Sequence, residues 1–413
     1  MDVSLVILIF SLLAGFYSAI NIGANDVANA MATSVASGVL SVKKAVFVSA
    51  IFNLFGAIFV GTHVTNTIRK GLIDPLQFAD TPHLLQLGMM ATVLGSALWV
   101  NLATYLRLPV STTHSIIGGI IGFGLVSVGF SGITWKVVVF VILSWIISPL
   151  FGGLVSFIIF TIIKKFILSS QDPISQVKKI GPFFIGIVGF ILSLATIYEG
   201  LENLHLNLPF FRAFIISSFV GIGAFFTGYL LLRRYKERKN MDPYLQVETM
   251  SGPLQVLSAS FESFSHGAND VANAIGPVAA IVVIFQTSRV EMKVAVPLWL
   301  LFLGGLGIAV GTYGWGKGVM ETVGKKITSI TPTRGFAAEF GTAATVLLCS
   351  RLGLPVSTTH ICVGNVIGVG LARGISAIDL TVIRKIFSAW IISLPAASVF
   401  SILIYFILTA IFA

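Results

Sequence analysis

Charge is what this chain of 413 residues has least of. Only 10% of its residues are Asp, Glu, Lys or Arg, against 56% hydrophobic, with a mean hydropathy of +0.96, whereas soluble domains carry roughly a quarter charged residues. An ordinary soluble enzyme is excluded, and a polytopic membrane protein is expected. Cysteine is almost missing as well: Cys349 and Cys362 form no CxxC or His-linked metal spacing, and both sit in apolar surroundings where a thiol packs as a small hydrophobe. No low-complexity segment appears, nor any tail large enough for a soluble domain. The start Met1-Asp2-Val3 lacks the basic residues of a signal peptide, and the apolar run continues past Leu13, so the first helix is expected to stay in the mature protein. The net charge of +10 would suggest nucleic acid for a soluble chain. Here the basic residues cluster between apolar stretches and are read as setting membrane orientation, with no nucleic-acid partner.

A bilayer core takes about 20 apolar residues in helical form. Such segments fall near 3–38, 45–62, 84–106, 110–130, 136–163, 181–198 and 208–232, then 244–285, 294–316, 336–352, 356–373 and 386–413, giving twelve in a five-two-five pattern. Thirty-six residues of helix would run roughly 54 Å against a core of about 30 Å, so the first segment of each set is expected to break, in the first at Gly23 or Gly38.

The pattern has a reason. Gly-Ala-Asn-Asp-Val-Ala-Asn-Ala occurs at 23–30 and again at 267–274, an offset of 244. Pro-Val-Ser-Thr-Thr-His recurs at 109–114 and 355–360, offset 246, and Trp-Ile-Ile-Ser at 145–148 and 390–393, each followed within two residues by proline (Pro149, Pro395). The chain is internally duplicated: residues 1–165 and 244–413 are the two copies, and 166–243 is a connector of two helices. The connector begins after Lys164, Lys165, Lys178 and Lys179 and ends at Arg233, Arg234, Lys236, Arg238 and Lys239, while its turn carries Glu199, Glu202 and Arg212. Both basic clusters are expected to be cytoplasmic. Counting out from them places Lys43, Lys44, Lys317, Lys325, Lys326, Arg334, Arg384 and Lys385 inside and both termini outside. Two copies with an odd number of crossings then have opposite topology, the inverted repeat of secondary transporters. A re-entrant hairpin at Pro109 or Pro355 in place of two crossings leaves this parity unchanged.

On a helix, Asn25, Asp26 and Asn29 fall within about 100° of one another, and Asn269, Asp270 and Asn273 repeat the wedge. Asn and Asp could be interhelical glue, but an ionisable residue kept twice at membrane depth points to function. Carboxylate and amide oxygens are the ligands hard cations prefer. After Pro109 and Pro355, Ser111, Thr112 and Thr113, and likewise Ser357, Thr358 and Thr359, are placed at a helix start. There they serve as ordinary caps or as an anion site in which hydroxyls and free N–H groups converge. An oxyanion beside two aspartates, with no Lys or Arg in either motif, needs compensation in a low-dielectric site. Bound cations would give cation-coupled anion symport, and protonated aspartates would give proton coupling. The amide-rich surroundings favour a metal ion. His114 and His360 follow the Ser-Thr-Thr runs as titrating, anion-binding or neutral bonded groups. Glu262 and Glu339 stand where the first copy has Ser18 and Val93, so they either join an ion path or pair structurally. Arg107 and Arg351 read as snorkelling residues or as a lure for anions.

The paired octapeptides together with the paired Pro-Val-Ser-Thr-Thr-His closely resemble the inorganic phosphate transporter family, also called the PiT or solute carrier 20 family. The likeness covers both copies. It implies a twelve-helix secondary transporter of the plasma (inner) membrane, embedded in the lipid bilayer and commonly a homodimer, in which sodium (Na+) drives uptake of inorganic phosphate. By the same resemblance Asn25, Asp26, Asn29, Asn269, Asp270 and Asn273 would serve sodium, and Ser111, Thr112, Thr113, Ser357, Thr358 and Thr359 would hold phosphate. Relatives that look like sulfate permeases, and others that use protons, supply the alternatives. An intramembrane aspartyl protease is disfavoured, because its Gly-x-Gly-Asp and Tyr-Asp motifs are absent and both aspartates here follow asparagine. A channel fits converging, duplicated binding groups less well than an occluding site does.

Overall fold

In the computed structural model the described residues are 3–61, 72–200, 208–238, 240–291, 296–320, 327–352, 354 and 356–412. Met1, Asp2, Glu202, Lys239, Lys325, Lys326 and Pro355, used above, lie outside them. Among the described residues there are twelve α-helices and no strand. They are α1 Val3–Ala36, α2 Val42–Val60, α3 Pro82–Tyr105, α4 Thr112–Ser127, α5 Trp135–Ile163, α6 Pro173–Ala195 and α7 Phe210–Arg233, then α8 Pro243–Thr287, α9 Leu298–Gly314, α10 Pro332–Arg351, α11 Thr358–Arg373 and α12 Leu380–Phe412. Each expected apolar segment coincides with one helix.

The expected break in the long first segments is corrected. Helix α1 is continuous for 34 residues and α8 for 45, through Pro253 and Pro277. Gly23 does not bend α1. It lets another helix touch it: a Cβ there would collide with the backbone carbonyl of Ile308 in α9, and a Cβ on Gly267 would meet that of Asn53 in α2. The half of α1 that carries the octapeptide is buried from Asn21 to Ser34, so protein rather than lipid surrounds it and hydrocarbon thickness does not limit its length. Gly38, with φ of 79°, turns the chain only after α1 has ended.

The packing exchanges elements between the two copies. Helix α1 lies on α9 and α8 on α2; α4 and α3 lie on α12, while α11 and α10 lie on α5. One hydrophobic core joins Leu87, Ile116 and Phe123 to Val271, Ile275 and Leu301, so apolar burial, the main favourable term in folding, is shared across the copies. The connector helices α6 and α7 pack on each other, and α6 also lies along α8.

Candidate functional site

Each Ser-Thr-Thr run starts a helix in the way its sequence requires. Ser111 is the N-cap of α4, its Oγ accepting from the N–H of His114 at 3.1 Å. Ser357 does the same for α11 through His360 N–H at 3.2 Å. The next two residues are therefore first-turn residues whose hydroxyls are not spent on capping. These starts are inside the protein: Ser111, Thr112 and Thr113, like Ser357, Thr358 and Thr359, are at most 3% exposed.

The octapeptides meet them there. Thr112 Oγ1 donates to Asp26 Oδ2 at 3.0 Å, and Thr358 Oγ1 to Asp270 Oδ2 at 2.7 Å, each pair within one copy. A second set of bonds crosses between copies. Asn29 Nδ2 donates to Thr359 Oγ1 at 3.1 Å, and Asn273 Nδ2 to Thr113 Oγ1 at 3.3 Å. Thr359 Oγ1 lies 3.2 Å from Asp26 Oδ1, and Thr113 and Thr359 donate to the carbonyls of Val356 and Val110. Asn29 and Asn273 also donate to the aspartate one turn earlier, at 3.1 and 2.8 Å. The two asparagine Oδ1 atoms have no hydrogen-bond partner, although both residues are buried.

Asn25 stands apart from this centre, and Asn269 reaches it only through Asp270. Asn25 Nδ2 donates to Thr104 Oγ1 and the Leu108 carbonyl, and its Oδ1 accepts from Val110 N–H, so it clamps the chain between α3 and α4. Asn269 bonds Ser350, the Val356 carbonyl and Asp270. All twelve residues named from the sequence are thus gathered in one buried region. Asp26, Asp270, Asn29, Asn273 and the threonines form its middle, Ser111 and Ser357 its caps, and Asn25 and Asn269 its outer fastening.

Sequence reasoning missed His266. It immediately precedes the second octapeptide and corresponds to Ile22 in the first. Its Nε2 is 3.4 Å from Asp26 Oδ2 and 3.0 Å from Asp270 Oδ2, and its Nδ1 is 2.6 Å from Asn53 Oδ1. The ligand atoms of Asp26, His266 and Asp270 all lie within 4.8 Å of one another. The signal was legible as a break in the internal repeat at an ionisable residue touching the motif.

The other polar residues divide. Glu339 is fully buried and takes hydroxyl bonds from Thr33, Ser34 and Ser258 and an amide bond from Gln255. Glu262, 2% exposed, has no partner for either oxygen. His114 stacks on Trp145 and His360 on Trp390, each with 3.6 Å between ring centroids, and each Nδ1 faces the other tryptophan's carbonyl. Their rings are 4.4 Å apart, edge to face. Arg351 lies over the Tyr198 ring at 4.5 Å. Both cysteines are free and buried, and Cys362 Sγ donates to the Asn29 carbonyl.

A buried centre rich in carboxylates, amides and hydroxyls, assembled from both occurrences of each repeated motif in a bundle with, among the described residues, eight helices long and apolar enough to cross a membrane, is the architecture of a membrane transporter. Comparison with known proteins agrees. The model of the phosphate transporter family matches residues 22–401. A putative phosphate permease of Haemophilus influenzae is 43% identical over 402 residues, covering 96% of each chain. One from Pyrococcus horikoshii is 43% identical over 401 residues and 97% of each. Among solved structures, one titled the sodium-dependent phosphate transporter superposes with a TM-score of 0.92 at 40% identity, covering 98% of this chain and 100% of its own. The chain belongs to the phosphate transporter family.

Proposed function

We propose that this protein is a sodium-coupled inorganic phosphate symporter of the plasma membrane, working by alternating access between two inverted copies, 1–165 and 244–413, joined by the connector 166–243. The observation that carries the reading is the pair of donorless carbonyl oxygens, Asn29 Oδ1 and Asn273 Oδ1, each one turn beyond a buried aspartate. Such oxygens are unsatisfied by the protein and are the ligands a hard cation takes. Two sodium ions, one beside Asp26 and Asn29 and one beside Asp270 and Asn273, would be bound between the threonine hydroxyls of α4 and α11. Phosphate would then sit at the two helix starts, where hydroxyls and the positive ends of the dipoles converge.

The order of binding follows from charge. Without sodium the carboxylates repel phosphate, so cation binds first or together with it. The loaded centre would release to the side facing the basic connector ends, the cytoplasmic side by the positive-inside rule, with both termini outside. On the family resemblance the working unit is a homodimer.

The test is uptake of labelled phosphate and sulfate into proteoliposomes under a sodium gradient and, separately, a proton gradient. Phosphate uptake driven by sodium is expected. Uptake driven by protons alone, or a preference for sulfate, overturns the assignment of ion or substrate. Phosphate binding of undiminished affinity in sodium-free buffer overturns the binding order.

A further inference from the structure

Beside the centre lies a cavity of about 830 Å³ walled by α5, α11 and α12, with His114 of α4 at one end. Its head is the histidine–tryptophan seam of His114, Trp145, His360 and Trp390, and its sides are apolar: Ile146, Leu150 and Phe157 on α5, Ile367 and Leu371 on α11, and Ile391 on α12. Leu150 and Ile391 are 70% and 75% exposed, so the groove opens at the apolar outer surface of the bundle.

The three walls share one more property: all end on the same side in basic residues. Helix α5 runs on into Lys164 and Lys165, α11 ends at Arg373, and α12 carries Arg384 and Lys385 just after its start. Lys164 Nζ donates to the carbonyl of Ala372, which ties the ends of α5 and α11 together. Only the short turn 374–379 separates α11 from α12. Lys164, Lys165, Arg384 and Lys385 are exposed. Asp379, the nearest acid in sequence, is occupied in capping α12 through the N–H groups of Thr381 and Val382.

We infer that this groove holds one anionic phospholipid of the leaflet on the basic side, an acyl chain lying along α5 up to the histidine–tryptophan seam and the phosphate group meeting the basic helix ends. The dimensions fit. From Trp145 to Phe157 is twelve residues, about 18 Å of helix, close to the half-thickness of a 30 Å hydrocarbon core that one chain must cover. The charge fits too, since clustered Lys and Arg at a membrane surface select anionic headgroups. The reading does not depend on which ion drives transport. It makes a bilayer component a neighbour of α11, one of the two helices that begin at the site.

The experiment is native mass spectrometry of the full chain recovered from phosphatidylcholine vesicles with and without phosphatidylglycerol, comparing wild type with three variants. Expected are one retained phosphatidylglycerol per chain in preference to phosphatidylcholine, and a loss of that preference in Lys164→Gln/Lys165→Gln and in Arg384→Gln/Lys385→Gln of roughly five-fold for each basic side chain removed. Leu371→Trp, which fills the groove from a side chain 45% exposed, is expected to expel the lipid with the basic ends intact. Equal retention of the two lipids by wild type, or retention unchanged in all three variants, overturns the inference. Efficient cross-linking of Leu150→Cys between two copies in the bilayer also overturns it, by giving the groove to a second chain.

Discussion

His266 Nε2 lies 3.0 Å from Asp270 Oδ2, one turn further along α8, and the same nitrogen is 3.4 Å from Asp26 Oδ2 on α1. With Asn53 Oδ1 at 2.6 Å from Nδ1, the ring is held on one side, and on the other its Nε2 faces both carboxylates without a hydrogen bond of good geometry. The ring is thus a polar neighbour shared by the two aspartates, one that the motifs by themselves do not contain. Replacing it by His266→Gln is expected to cost about 3 kcal/mol in sodium-free buffer, as leaving buried carboxylates short of a partner does. Sodium should then raise the melting temperature of the variant more than that of the wild type. A sodium increment no larger than wild type would show that the cation does not take over the role of the ring.

Asn29 and Asn273 differ from Asn25 and Asn269 in having a carbonyl oxygen without a donor. Asn29→Ala and Asn273→Ala should each weaken apparent sodium affinity in uptake assays by roughly ten-fold, the loss of one good ligand contact of about 1.4 kcal/mol. Asn25→Ala should instead lower thermal stability, since it removes three bonds to the segment between α3 and α4. Equal sodium affinities in all three variants would remove the distinction.

Two glutamates test whether burial or bonding decides stability. Glu339→Gln breaks a carboxylate that takes bonds from four side chains, and is expected to cost about 2–3 kcal/mol. Glu262→Gln loses no bond and should change stability by less than about 1 kcal/mol. Chemical denaturation of both variants, measured side by side, gives the comparison.

Gly267→Ala and Gly23→Ala place a methyl group against the Asn53 and Ile308 carbonyls. Overpacking of this kind costs about 1–3 kcal/mol and more where backbone must move, so both variants should give sharply less monodisperse protein on size exclusion. Gly38→Ala meets open space, and its left-handed φ alone should cost about 1–2 kcal/mol.

The twelve helices and the two helix starts were legible because each rests on local pattern: apolar length, and proline followed by cap residues. The path of α1 was not. The apolar segment 3–38 looked too long for the bilayer because the sequence does not say that the half carrying the octapeptide is surrounded by protein. Gly23, suspected as a break, is a point of close approach, and only the opposing carbonyl of α9 distinguishes the two. The bonds from Asn29 to Thr359 and from Asn273 to Thr113 were hidden for the same reason, since they join residues 330 and 160 positions apart.

Those crossing bonds bear on how the molecule could be divided. Cut within the connector, neither fragment keeps the threonine that its own asparagine addresses across the centre, and α1 loses α9 while α8 loses α2. A fragment made alone would keep its aspartate–threonine bond but would bare the glycine face of its long first helix, whose opposing carbonyl belongs to the other fragment. The centre is therefore the property of both fragments together and of neither one alone.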